Sequence, residues 1–213
     1  MHFPRQIFLV AAIGLLAGCT VLDPKPDYSQ FYLLNPLTAK MAPAPQPDPT
    51  LRLIVDDTEV PEYLNRPQMV ARLPGNQVSR DEYHRWGEPL NEGFSRVLAQ
   101  DIALLSDSSH VASFPIPPGF GQDLEINVQL LQFDGALNGT VTLRAQWRIT
   151  GPDGKPTYYA PARYTVLTRE AKNPTGDAAA AYVDALSLLV GDLARDMVNS
   201  LPAAEVAKSA AHS

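Results

Sequence analysis

Leu124-Glu125-Ile126-Asn127-Val128-Gln129-Leu130 is followed after a short gap by Val141-Thr142-Leu143-Arg144-Ala145-Gln146-Trp147-Arg148-Ile149. In both runs apolar and polar residues alternate, the period of a strand with one face in a core and the other in water. Asp134-Gly135 and Asn138-Gly139 between them, and Gly151-Pro152-Asp153-Gly154 after them, carry turn chemistry. Tyr158 to Thr168 reads as a third strand. The centre of the chain is therefore predicted to be an antiparallel meander of two hairpins.

Beyond the meander, Asp177 is placed to cap a helix, and Tyr182, Leu186, Leu189, Leu193 and Met197 fall on one helical face. Pro202 is expected to end that helix, with residues 202–213 as a disordered tail. Before the meander, Glu88-Pro89-Leu90 opens a first helix whose stripe is Leu90, Phe94, Val97, Leu98, Leu104 and Leu105. Shorter strands are predicted at Ser29–Leu34, Leu51–Val55, Gln68–Leu73, Val78–Trp86 and His110–Phe114. Leu51, Leu53 and Val55 would share one face of the second. Strands, helix, strands, helix is the order of an α+β domain, a mainly antiparallel sheet with two helices packed on one face. Pro43, Pro45, Pro47 and Pro49 stand at alternate positions, favouring an exposed extended segment.

The start of the chain has a different character. Arg5 precedes an apolar run, Ile7 to Leu16, and then Leu16-Ala17-Gly18-Cys19. A short positive region, a short apolar region and small residues make a secretory signal peptide, and the run is too short to span a bilayer. Cys19, the one cysteine in the chain, directly follows the small residues, as in a bacterial lipobox. The expected organisation is a signal peptide over residues 1–18, a lipid-anchored leader over 19–27 and one folded domain over 28–201. Cys19 would carry the covalent lipid, leaving no thiol for a disulfide or a soft-metal site.

The whole chain has 213 residues with 17 Lys+Arg against 23 Asp+Glu. Loss of Arg5 with the signal leaves 16 basic residues and a mature charge of about −7. That balance suits neither nucleic acid nor anionic headgroups, so membrane attachment falls to acyl chains. His84 and His110 have no partner at metal-ligand spacing, and no nucleophile elbow, phosphate loop or dinucleotide fingerprint is present. Asp56-Asp57-Thr58-Glu59 lacks the spaced ligands of a calcium loop and reads as a solvated turn. The sequence thus points to a non-enzymatic protein with no metal and no cofactor beyond the lipid.

Tyr63-Leu64-Asn65-Arg66-Pro67-Gln68-Met69-Val70-Ala71-Arg72 and Trp86-Gly87-Glu88-Pro89-Leu90 resemble the ABC-type transport auxiliary lipoprotein family, which includes the PqiC lipoproteins that accompany MCE-type transporters. The resemblance extends to Phe31-Tyr32-Leu33-Leu34, Phe133-Asp134-Gly135 and Leu143, Ala145 and Trp147. An aspartate is more usual where Asn65 stands; asparagine suits the turn equally. The resemblance implies a periplasm-facing lipoprotein of a Gram-negative envelope, assisting movement of lipids or other hydrophobic molecules between membranes. An MCE-domain protein would be its partner, and a homo-oligomer is compatible with that role. Thr20 after the cysteine, where aspartate would favour the inner membrane, favours the inner leaflet of the outer membrane.

Two functions compete, a docking subunit holding a partner protein and a carrier binding lipid in an apolar cleft between sheet and helices; a third, an envelope hydrolase, would need a triad converging in the fold that no local motif advertises. The candidate docking surface is Tyr63, Leu64, Asn65, Arg66, Pro67 and Gln68, a loop restrained by Pro61 and Pro67 that presents an aromatic and an arginine. Three roles for Arg66 stand open: docking a partner, clamping its own loop through carbonyls or Glu88, and meeting a lipid headgroup.

Overall fold

The computed structural model describes residues 26–39, 52–151, 163–172 and 176–201. Cys19, the signal peptide, the alternating prolines and the 202–213 tail lie outside them, as do Leu51, residues 152–154 of the second turn and residues 158–162 of the third strand. The elements in order are β1 (Gln30–Tyr32), β2 (Leu53–Val55), β3 (Gln68–Leu73), β4 (Gln77–Trp86) and α1 (Leu90–Ser106). They continue with β5 (Val111–Ser113), β6 (Leu124–Gly135), β7 (Thr140–Thr150), β8 (Arg163–Glu170) and α2 (Ala178–Val198).

The class is α+β, and the strands form two mixed sheets. One has the order β1-β4-β3 and the other β5-β2-β6-β7-β8. The long pairings β3–β4, β6–β7 and β7–β8 are antiparallel. The three-residue strands β1, β2 and β5 pair in parallel. β2 lies between β5 and β6 and buries all three of its residues, so both of its faces are covered.

The meander carries the core. Leu124, Ile126, Val128 and Leu130 of β6 and Val141, Leu143, Ala145, Trp147 and Ile149 of β7 are all buried. α1 packs on the β2/β5 side of the larger sheet and α2 on the β7/β8 side, with the helices against each other. Phe94 of α1 meets Phe133 of β6 edge to face, ring centres 5.2 Å apart. Of the predicted α1 stripe, Leu104 lies only partly buried, and Ile102 is fully buried in its place. All five apolar residues predicted for α2 are buried, and Asp177 caps it, accepting from the Ala180 amide at 2.9 Å.

Asp134-Gly135 is not a turn. Both residues end β6 and are buried, and the chain reverses over residues 136–139. A Cβ on Gly135 would lie 2.2 Å from the Thr140 carbonyl oxygen, so the close approach of β7 demands glycine.

The first strand is shorter than predicted because the chain leaves the sheet to lie across the helix pair. Leu34 and Leu37 are buried, and Leu37 sits on Gly191, where a Cβ would fall 2.6 Å from Leu37 Cδ2. The Asn35 amide donates to Ser187 Oγ at 3.1 Å, and the Leu37 amide donates to Asp101 Oδ1 at 2.6 Å. Among the described residues, Asp101 Oδ2 is buried without a hydrogen-bond partner.

Burial pushes the Asp101 carboxyl up to about 6, against the opposing effects of the Leu37 amide and the Arg195 charge. The ordinary value is 3.8. Between those values the folded protein holds a proton that the unfolded chain has released. The residue's contribution to stability is therefore greatest in acid, falls as pH rises through that window and is lost above it. Asp101→Asn keeps an oxygen for the Leu37 amide and has no proton to lose. Relative to it, the wild type should lose stability by up to roughly 3 kcal/mol between about pH 4 and about pH 7. Urea melts of both proteins check this; a difference that stays flat with pH contradicts it.

Candidate functional site

The loop between β2 and β3 is a compact turn. The Leu64 and Asn65 amides both donate to the Pro61 carbonyl at 2.9 and 3.1 Å, and the Arg66 amide donates to the Leu64 carbonyl at 2.8 Å. Its far end is held by the Trp86 amide, which donates to the Pro67 carbonyl at 2.7 Å. This closes the loop onto β4. Leu64 is buried beneath it, while Asn65 and Pro67 face outward. Gln68 opens β3 and donates to Glu82 Oε2 at 3.3 Å.

Tyr63 faces the other way. Its hydroxyl donates to Asp134 Oδ2 at 2.7 Å. Arg72 Nε of β3 donates to Asp134 Oδ1 at 2.6 Å, as does Gln132 Nε2 at 2.9 Å. An Arg72 terminal nitrogen also reaches the Tyr63 hydroxyl at 3.3 Å. The Asp134 side chain is fully buried, so this set of donors is what makes its burial tolerable. Burial first, and then the bond to Asp134, push the Tyr63 hydroxyl up to about 12, so it stays a donor across the physiological range.

Beside it, Tyr182 of α2 donates to the Val70 carbonyl of β3 at 2.8 Å and accepts from the Gly135 amide at 3.1 Å. Burial drives its hydroxyl upward as well. One polar cluster thus joins the loop, the smaller sheet, the larger sheet and the second helix. A clamp was one of three roles left open for Arg66; the bonds that tie this loop to the sheets run instead through Tyr63, Arg72 and Asp134. Their signal was in plain view, since all three residues stand in the stretches that carry the family resemblance.

Arg66 takes no part in the cluster. Among the described residues its buried Nε has no hydrogen-bond partner, and no ion pair involves its guanidinium. Glu88, one of the partners the sequence allowed it, instead pairs with Arg96 at 2.5 Å. The loop therefore combines a rigid frame, outward Asn65 and Pro67, and an arginine whose Nε has no partner among the described residues. A buried donor left unsatisfied costs about 1–3 kcal/mol.

A second surface feature is a cleft of about 350 Å³ lined in part by Asp56, Asp57, Glu59, Asn127, Gln129 and Arg148. Its acidic turn is pinned more firmly than a solvated turn. Thr58 is buried, and its amide donates to Ser95 Oγ of α1 at 3.0 Å. Asn127 and Gln129 of β6 donate to Asp56 and Glu59 at 3.3 and 2.9 Å. The walls are mainly charged and amide groups, with Val128 and Trp147 among them, and an acyl chain would have to strip the polar ones of water at a cost.

Known proteins share this architecture. A crystal structure of an uncharacterized protein superposes with a TM-score of 0.61 at 19% identity, covering 82% of this chain and 99% of its own. The crystal structure of protein XCC0632 from Xanthomonas campestris gives a TM-score of 0.64 at 14% identity, covering 81% and 96%. At those identities the likeness shows the fold. No curated protein matches the sequence significantly. The sequence profile of the ABC-type transport auxiliary lipoprotein component matches residues 32–198, from β1 through the end of α2. The chain belongs to the ABC-type transport auxiliary lipoprotein family.

Proposed function

We propose that this protein is a lipid-anchored docking subunit of an MCE-type intermembrane transport system. It would be tethered by a lipid on Cys19 and would hold an MCE-domain partner through the Tyr63–Gln68 loop. Residues 1–18 are then a signal peptide, 19–27 a leader and 28–201 the working domain, facing the periplasm from the inner leaflet of the outer membrane. No cofactor or catalytic group enters this reading.

Arg66 carries it. Arg66 stands between exposed Asn65 and Pro67, its Nε has no partner among the described residues, and the frame that holds it pays little entropy on binding. Arginine is among the residues that most often dominate interfaces, and its planar fork suits a carboxylate. The polar walls of the cleft also favour docking over carriage of an acyl chain.

The experiment separates the two halves of the loop. Arg66→Ala removes a buried unsatisfied donor, so it should hold or raise the melting temperature, and it should lower the yield of MCE-domain partner recovered from mild-detergent extracts at least about tenfold, the equivalent of one charged hydrogen bond lost. Tyr63→Phe removes a donor from buried Asp134 and should destabilise the fold by about 1–3 kcal/mol, with partner recovery following the folded fraction. A large loss of stability in Arg66→Ala with no specific loss of partner would make the loop a structural clamp throughout.

A further inference from the structure

A second surface bears on how the domain sits relative to its membrane. Tyr28, Phe31, Leu33 and Tyr83 are 66, 65, 49 and 57% exposed. Phe31 and Tyr83 lie on neighbouring strands, with Leu33 just after β1 and Tyr28 just before it. Phe31 is level with Arg85 in the parallel β1–β4 register, and Gln30 is level with His84, which Tyr83 immediately precedes. Tyr32, between Phe31 and Leu33, is more buried, and its ring tilts against His84 with centroids 5.7 Å apart. Alternation along the strand therefore sends Phe31 and Leu33 out on one side and Tyr32 inward on the other.

We propose that this aromatic face rests in the interfacial layer of the bilayer that holds the Cys19 lipid. The inference rests on the anchoring part of the proposed function. Tyr28 is nine residues after Cys19, and nine extended residues reach roughly 30 Å at most. The edge at β1 is thus the first part of the folded domain that the tether brings to the membrane.

The chemistry of the face fits that layer. Tyrosine and phenylalanine rings at headgroup depth bury an apolar body, and the tyrosine hydroxyl stays wet. The neighbouring charges are mixed: Asp27, Glu82 and Arg85, with Arg85 Nε donating to the Glu82 carbonyl at 3.0 Å. Attraction to anionic lipid is therefore not needed for contact. The rings would instead act as a weak second signal added to the acyl chains, fixing the orientation of the domain.

The test uses the full lipidated chain in phosphatidylethanolamine–phosphatidylglycerol vesicles, with lipids brominated near the headgroup as quencher. Trp86 and Trp147 are buried, so Phe31→Trp and Tyr83→Trp each add one reporter to a shielded background. Both positions are exposed, which makes the substitutions mild. The added emission should be blue-shifted and lose at least half its intensity in brominated vesicles, while wild-type emission changes little. Flotation with the vesicles, together with unquenched, water-exposed emission at both positions, overturns the membrane face and leaves anchoring intact. A reporter that ignores lipid and shifts only on adding the MCE-domain protein reassigns the face to a protein interface and also overturns the proposal. If the wild type fails to float while behaving like Cys19→Ser, anchoring itself is refuted and the proposal falls with it.

Discussion

Gly135→Ala should leave little folded protein at ambient temperature, a loss of roughly 4 kcal/mol or more. The added Cβ would sit 2.2 Å from the Thr140 carbonyl oxygen and 2.4 Å from Val141 Cα. Both are backbone atoms of the adjoining strand, so no rotamer change relieves the clash. Moving β7 away opens the β6–β7 hairpin at its closed end. It also shifts the Gly135 amide from the Tyr182 hydroxyl, and with it the link from the larger sheet to Val70 of the smaller one. Denaturant melts and soluble yield read the effect directly. A variant melting within a degree or two of the wild type would show that the two sheets are not locked together here.

Trp147→Ala should cost roughly 3–5 kcal/mol. Trp147 is among the largest fully buried side chains, on the inner face of β7 with Leu143 and Ala145. Its indole N–H donates to Thr165 Oγ1 of β8 at 3.0 Å. Truncation leaves a cavity in the most regular part of the sheet and a cross-strand bond unmade. Partner recovery should fall only as far as the folded fraction falls. An unchanged melt with lost partner binding would move Trp147 from the core to the interface.

Of those two residues, the role of Trp147 is legible in the sequence and that of Gly135 is not. Trp147 belongs to an alternating run, and alternation reports its own cause, a sheet with one wet face. The α2 stripe was legible for the same reason, since a single period of 3.6 carries five buried residues. Asp134-Gly135 looked like a turn because that dipeptide favours turns in isolation. Here Asp134 is buried by partners distant in sequence, Tyr63 and Arg72, and local propensity yields to them.

The short strands were found but not their partners. β1, β2 and β5 are three residues each and pair in parallel, a choice made by the tertiary arrangement rather than by any turn. An Arg66–Glu88 pair, one of the options the sequence left open, is prevented by competition. Arg96, two helical turns after Glu88, takes that carboxylate and also reaches the Leu34 carbonyl at 3.3 Å. At the candidate site the sequence therefore showed which residues matter before it showed how they divide. Tyr63 and Leu64 hold the fold, Gln68 enters the sheet, and Asn65, Arg66 and Pro67 are left facing outward or unpaired.

That division makes the docking claim testable at a single position. Asn65 is exposed at the crest of the loop, and Val166 of β8 is exposed on a separate element. With a photo-activatable residue at each position in turn, illumination of intact cells followed by denaturing purification records what each touches in the envelope. The account predicts a covalent product with the MCE-domain protein from position 65, lost when Arg66→Ala is added, and none from position 166. A product from position 166 with none from position 65 would contradict it.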